Sequence, residues 1–216
     1  MISVVFDMDG VLFDTQRLYL LTWYKVGEIM GLSDIKEVAP GCMGMNRNDQ
    51  RSVLLRHYGR DFDYESFMKH KDRIFAEYIS NGIDMKPGCL DILRYLKSKN
   101  AAVALASSSK RESVMHNITS TGLSEYFDII ISGDMVEHSK PAPDIYLMAC
   151  RALGTNPCDT FAVEDSYNGV RSAVSAGLKT IMIPDVAPPT KELDSVIYAR
   201  YKSLTEFMNF LRRQYD

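Results

Sequence analysis

Apolar positions along this chain follow two rhythms. Short, nearly unbroken apolar runs recur at 2–6, 102–106, 128–132, 160–164 and 179–183. Runs of that length predict strands buried on both faces. Between the later runs the apolar residues fall at helical spacing. Cys89, Ile92, Leu93 and Leu96 do so after Pro87-Gly88, and Val114, Met115 and Ile118 after Lys110. Ile145, Met148, Ala149, Ala152 and Leu153 follow Pro143, and Leu204, Phe207, Met208 and Leu211 mark a final helix beyond the Pro188-Pro189 loop. Strand and helix in alternation predict an α/β class with a doubly wound parallel sheet.

Residues 15–83 break this rhythm and contain no convincing strand. Leu20, Trp23, Gly27 and Met30 mark one helix face, and Tyr64, Phe67, Met68, Phe75 and Tyr78 another. Such stripes predict packing surfaces, and Trp23 is read as core. The pattern divides the chain into 1–14 plus 84–216, an α/β unit, and 15–83, a helical insertion. Its connections, near Asp14–Gln16 and Ile83–Pro87, are expected to act as hinges.

The polar residues that matter stand where the strands end. Val4-Val5-Phe6 runs into Asp7-Met8-Asp9-Gly10. Residues two apart on a strand project to the same side, and open α/β sheets place ligands at the carboxyl ends of their strands. Two carboxylates about 4 Å apart repel by roughly 4 kcal/mol at an effective dielectric near 20. The pair calls for a cation, a shared proton or a reaction that uses it. A later strand ends in Ser107-Ser108-Ser109-Lys110, whose hydroxyls, lysine and helix N-terminus suit an anion, although a serine helix cap explains the serines equally. Lys140 precedes Pro141, which disfavours helix at the lysine; alone it reads as a solvated loop cation. Glu164-Asp165 ends another apolar run. Adjacent acids there suit a hard cation such as Mg²⁺, and Asp165 could equally cap the next helix.

In order, Asp7-x-Asp9, Ser107, Lys140 and Glu164-Asp165 resemble the haloacid dehalogenase (HAD) superfamily of phosphotransferases, over essentially the whole chain. Asp-Gly-Val-Leu-Phe-Asp-Thr, Leu-Ala-Ser-Ser-Ser-Lys, Ser-Lys-Pro-Ala-Pro-Asp-Ile-Tyr and Val-Glu-Asp-Ser-x-x-Gly-Val are similar to its β-phosphoglucomutase-like subgroup, which holds sugar-phosphate phosphatases, inorganic pyrophosphatases and the mutase. The resemblance implies a Rossmann-like core (1–14 and 84–216) under a small helical cap (15–83). It implies Asp7 as nucleophile through an aspartyl-phosphate, Asp9 as general acid and base, Ser107 on the phosphoryl group and Lys140 on its charge. It places Mg²⁺ on Asp7, the Asp9 carbonyl and Asp165, with Glu164 in or near that shell. Gly44-Met45-Asn46-Arg47 falls at the subgroup's cap substrate loop, where Arg47 would grip a second anion. Thr15 matches a small hydroxyl near the acid/base aspartate, and Ser108, Ser109 and Lys110 would line the phosphate side. Two departures stand out. The mutase has a histidine where this chain has Tyr19 and a lysine where it has Met43, which favours plain hydrolysis. The expectation is therefore a Mg²⁺-dependent phosphatase of a small phosphorylated metabolite, a sugar phosphate foremost, with β-phosphoglucomutase or inorganic pyrophosphatase as alternatives.

Composition changes this picture little. The 216 residues are 46% hydrophobic and 25% charged, ordinary values for a globular chain. A net charge of −3 and a pI near 5.8 argue against a nucleic-acid surface or an anionic membrane. Cys42, Cys89, Cys150 and Cys158 show no metal spacing and fit a reducing compartment. No apolar run reaches the length of a membrane span. The expected protein is cytoplasmic and monomeric, with a small phosphorylated molecule as its partner. His57, His70, His116 and His138 have no ligand-like spacing and are assigned no chemistry.

Overall fold

The computed structural model describes residues 1–216 apart from 44, 46, 81 and 187. Six parallel strands form one sheet: β1 (Ser3–Phe6), β2 (Ala102–Ser107), β3 (Ile129–Ser132), β4 (Phe161–Glu164), β5 (Lys179–Met182) and β6 (Ala199–Arg200). Their order is β3-β2-β1-β4-β5-β6. The chain winds outward from β1 in both directions, so the reversal lies between β1 and β4, where such sheets bind ligands. Val5 pairs with Ala104 on one side and Ala162 on the other. The Asp7 amide donates to the Val163 carbonyl (2.9 Å), which carries the ladder one residue past β1 and fixes where that carboxylate emerges.

The strand period of two sorts the core into two layers. Val4, Phe6, Val103, Leu105, Phe161 and Val163 pack with α5 (Cys89–Ser98), α6 (Arg111–Ser120) and α10 (Leu204–Tyr215). The opposite face is built from Val5, Ala104, Ala106 and Ala162, against α7 (Asp144–Leu153) and α8 (Tyr167–Ser175). Its small side chains let α7 approach closely, and the wholly buried Tyr146 fills the space. The short α9 (Lys191–Asp194) sits before β6. Serine and threonine start these last helices: Ser166 accepts from the Gly169 amide, Thr190 from Leu193 and Ser203 from Glu206.

The five predicted strands are present within a residue or two. The sixth, β6, is a correction. At two residues it is too short for a periodicity to reveal. It is set by Tyr198 and Tyr201 amides donating to the Thr180 and Met182 carbonyls. Arg200 is exposed and pairs with Asp194 at 3.2 Å.

The insertion holds α1 (Thr15–Met30), α2 (Ile35–Val38), α3 (Arg47–Tyr58) and α4 (Tyr64–Ile79), and no strand among the described residues. It has a core of its own, with Trp23 edge-on to Phe67 and surrounded by Val26, Ile35, Leu54 and Ile74. Tyr78, expected on the packing stripe, is exposed, and Phe75 stacks on Tyr19 with ring centroids 4.2 Å apart. The two connections pair with each other. Asp14 N donates to Asp84 O (2.9 Å), Lys86 N to Leu12 O (2.8 Å), and Phe13 bridges Met85 antiparallel. The Lys86 ammonium reaches Asp14 (3.4 Å) and Asp185 (2.7 Å), tying this short ladder to the loop after β5. Among the described residues no helix is long and apolar enough to cross a membrane.

Candidate active site

The ends of β1, β2 and β4 bring the expected residues together around one buried cation. Lys140 is 2% exposed, and its ammonium donates to Asp7 Oδ1 (2.5 Å), Glu164 Oε1 (2.6 Å) and the Ala106 carbonyl (3.1 Å). Those three acceptors match its three donors. The two carboxylates raise its pKa against the opposing effect of burial. Read alone, Lys140 passed for a solvated loop cation; the fold instead closes α7 over it.

Asp7 is buried at the carboxyl end of β1. Burial pushes its pKa up and Lys140 pulls it down, with Glu164 and Asp9 adding repulsion; the net direction is upward. Asp9 lies one turn on. Its Oδ1 accepts from the Thr15 hydroxyl (2.6 Å) and its Oδ2 from the Ser109 hydroxyl (3.2 Å), while Gln16 Nε2 reaches its carbonyl at 3.4 Å. Burial raises the Asp9 pKa more than these hydrogen bonds lower it. The two aspartates therefore have different surroundings: a cation holds Asp7, and two hydroxyls hold Asp9.

Asp165 is 2% exposed, and its Oδ1 accepts no hydrogen bond from the described residues. A buried carboxylate oxygen without a donor is costly. Burial, then Glu164, Asp7 and Asp185, push its pKa well above the carboxylate range. Oxygens of Asp7, Glu164 and Asp165 lie within 4.8 Å of one another. An orphaned oxygen among clustered hard donors fits Mg²⁺, which takes one or two carboxylates and keeps waters. Gly10 permits the crowding: its φ is +86°, and a Cβ there would stand 2.1 Å from Asp165 Oδ2.

Glu164 is fully buried. Oε1 accepts from Lys140 and the Tyr146 hydroxyl (2.7 Å); Oε2 accepts from the Asp165 and Ser166 amides and the Ser166 hydroxyl. The carboxylate lies over the start of α8, where a Cβ on Gly169 would stand 1.9 Å from it. With both oxygens engaged, Glu164 holds Lys140 in place from the edge of the acid cluster.

Of the Ser107–Lys110 run, Ser107 is fully buried and its hydroxyl accepts from the Ser109 amide (3.1 Å). Ser109 turns to Asp9. Ser108 is half-buried and Lys110 is exposed where α6 begins. Arg47, the first residue of α3, pairs with Asp72 at 2.7 Å with both side chains about half exposed. Gly44 and Asn46 of the expected cap loop lie outside the described residues. Met43 and Met45 line the cleft between cap and core.

Two residues escaped the sequence reading. Tyr146 supports Glu164 from inside α7. Lys71, on α4, is 8% exposed and has no hydrogen-bonded carboxylate among the described residues; its ammonium stands 5.9 Å from the Tyr19 ring centroid. Desolvation lowers its pKa to about 8. A signal for Lys71 existed, because it falls four residues after Phe67 and four before Phe75, on the apolar stripe of α4.

A buried carboxylate pair and acid cluster at the switch point of a doubly wound sheet, under a helical cap, define the class of hydrolase expected here. The family model described as haloacid dehalogenase-like hydrolase matches residues 4–183, and the chain belongs to that family. It is 33% identical over 183 residues to a phosphorylated carbohydrates phosphatase of Thermotoga maritima, covering 83% of each chain. It is 32% identical to a Drosophila melanogaster protein named as a probable pseudouridine-5'-phosphatase, covering 84% of this chain and 80% of that one. Among solved structures, CbbY from Rhodobacter sphaeroides in complex with phosphate superposes with a TM-score of 0.79 at 27% identity, covering 96% of both chains.

Proposed function

We propose that the chain is a Mg²⁺-dependent phosphatase of a small phosphorylated sugar, working through a covalent aspartyl-phosphate. The observation that carries this reading is Asp7, held by the buried Lys140 at 2.5 Å beside a second, hydroxyl-held aspartate. An Asp7 oxygen attacks phosphorus, and the bond from phosphorus to the leaving oxygen breaks. Asp9, whose pKa burial raises, gives a proton to the leaving oxygen as the general acid. In the second step Asp9 takes a proton from water, the water oxygen attacks phosphorus, and the Asp7 carboxylate is released. Each step needs positioning and charge neutralisation above all, and splitting the displacement in two eases both halves. Ser107, Ser108 and Lys140 surround the transferring phosphoryl group on the core side. Mg²⁺ would be held by Asp7, Asp165 and the Asp9 carbonyl, and would supply charge neutralisation to the phosphoryl oxygens.

The helical segment 15–83 serves as a cap that closes on its paired connections and excludes water from the intermediate. Arg47 reads an anion on the substrate if it exchanges Asp72 for it. Hydrolysis is favoured over the mutase reaction by Tyr19, which stacks on Phe75, and by Met43, which stands where a cation would grip a returning intermediate. The relatives' names support both the phosphate ester and its sugar. A phosphate-release screen over sugar phosphates, nucleotides and pyrophosphate with Mg²⁺ tests the reading. Asp7→Asn is expected to abolish release while melting like the wild type, and turnover in ¹⁸O-water is expected to place the label in the released phosphate and leave the Asp7 carboxylate unlabelled. Near-wild-type release by Asp7→Asn would end it.

A further inference from the structure

A cleft of about 350 Å³ opens directly off the Asp165–Ser166 corner, between cap and core. Pro40, Met43 and Met45 form its cap wall, and Tyr167, Val186 and Pro188 its core wall. Its polar lining away from the acid corner is sparse: the amides of Gln16 and Asn168, and Arg171, already paired with Glu192 at 3.2 Å. Both walls are fixed before anything binds. The Tyr167 hydroxyl donates to the Pro188 carbonyl at 2.6 Å, and buried Gln50 donates to the carbonyls of Cys42 (3.3 Å) and Met45 (3.0 Å).

The chemistry of these walls selects what can lie between them. A hexose shows hydroxyls around its rim and needs partners on every side, and each hydroxyl pressed unpaired against Met, Val or Pro loses its water for nothing. A planar heteroaromatic ring has two apolar faces and a polar edge. Thioether sulfur packs well against such rings, and a tyrosine offers a stacking surface opposite. The Asn168 amide supplies one donor pair and one acceptor for a ring edge. Arg47, paired with Asp72, does not line this cleft.

We propose that the substrate's sugar carries a nucleobase, so that the favoured ester is a nucleoside 5'-monophosphate with its base between Met43, Met45 and Tyr167. This rests on the phosphatase reading for the place of the phosphate. Binding and turnover separate the two. Calorimetric titration of the Asp7→Asn protein with Mg²⁺ is expected to find uridine and adenosine 5'-monophosphates bound at least about tenfold more tightly than ribose 5-phosphate. Met43→Gln and Val186→Asn, each placed on the Asp7→Asn background, are expected to shrink that ratio several-fold, and either variant decides if the other does not fold. Equal affinities, no measurable binding of the nucleotides, or a ratio untouched by these variants overturns the proposal. Wild-type turnover of p-nitrophenyl phosphate is read separately: its absence ends the phosphatase reading, while the binding ratio still decides the base.

Discussion

Glu164 and Lys71 show how far a side chain's meaning depends on what surrounds it. Adjacent to Asp165 in sequence, Glu164 looks like a second metal acid, yet its five hydrogen bonds assign it to Lys140, Tyr146 and the start of α8. Glu164→Gln keeps the shape and removes the charge facing Lys140. It is expected to lower kcat by about 10- to 100-fold, the range for a lost charge-assisted contact of roughly 1.5–3 kcal/mol, while leaving Mg²⁺ affinity close to the wild-type value. Loss of Mg²⁺ affinity matching that of Asp165→Asn would make Glu164 a ligand instead. Lys71 gives a pH prediction. Its folded pKa, lowered by desolvation to about 8 from the ordinary lysine range, means that the folded chain releases this proton first. Between those values the unfolded chain binds more protons, so this group makes stability rise with pH across that window, by on the order of 2–3 kcal/mol. Lys71→Met should melt higher than the wild type at pH 7 and lose that rise. Parallel melting curves for the two proteins from pH 7 to 10.5 would refute the assignment. Asp7, Asp9 and Asp165 were legible in the sequence because strand ends announce them, whereas Lys140, in the loop before α7, stood out only through the family resemblance. Tyr146 was not, since its partner lies across the sheet.

At the scale of elements, α8 begins where the Glu164 carboxylate already lies, and Gly169 is the residue that makes room. Gly169→Ala would drive a methyl group into that carboxylate. A destabilisation of about 2–4 kcal/mol is expected, as for other substitutions that disrupt a buried charged network, together with lost turnover. Denaturant melts of Gly169→Ala beside Gly41→Ala, whose added Cβ meets open space at an ordinary φ, check this; equal costs would show that the contact with Glu164 carries nothing. The strands of the sheet were legible because both their faces are buried, which leaves continuous apolar runs. β6 was not, since two residues at an edge carry no period. The paired connections, Leu12–Asp14 against Asp84–Lys86, were equally invisible: hydrogen bonds between backbones about seventy residues apart leave no mark on composition.

At the scale of the molecule, the acid cluster sets stability against function. Asp7, Glu164 and Asp165 crowd one corner of the site, and Asp165 has an oxygen without a donor among the described residues. A bound cation at a hundred times its dissociation constant adds about 2.7 kcal/mol to the folded state. Wild-type protein is therefore expected to melt higher in Mg²⁺ than in chelator. Asp165→Asn should melt higher than the wild type in chelator and gain little from Mg²⁺; an equal gain in both proteins would place the ion elsewhere. The division into an α/β unit and a helical insertion was legible from the change of period alone. How the insertion lies on the sheet was not, because Thr15, Ser109 and the cleft walls meet from distant parts of the chain.

The chain's single tryptophan sits wholly inside the helical insertion, against Phe67, with its indole N–H unpaired. Intrinsic tryptophan fluorescence is thus a private signal of the cap, free of any contribution from the sheet. Circular dichroism averages both halves. Overlaid, the two traces show directly whether cap and core come apart in one cooperative event or whether the cap dissolves first and leaves the carboxylates standing open to water.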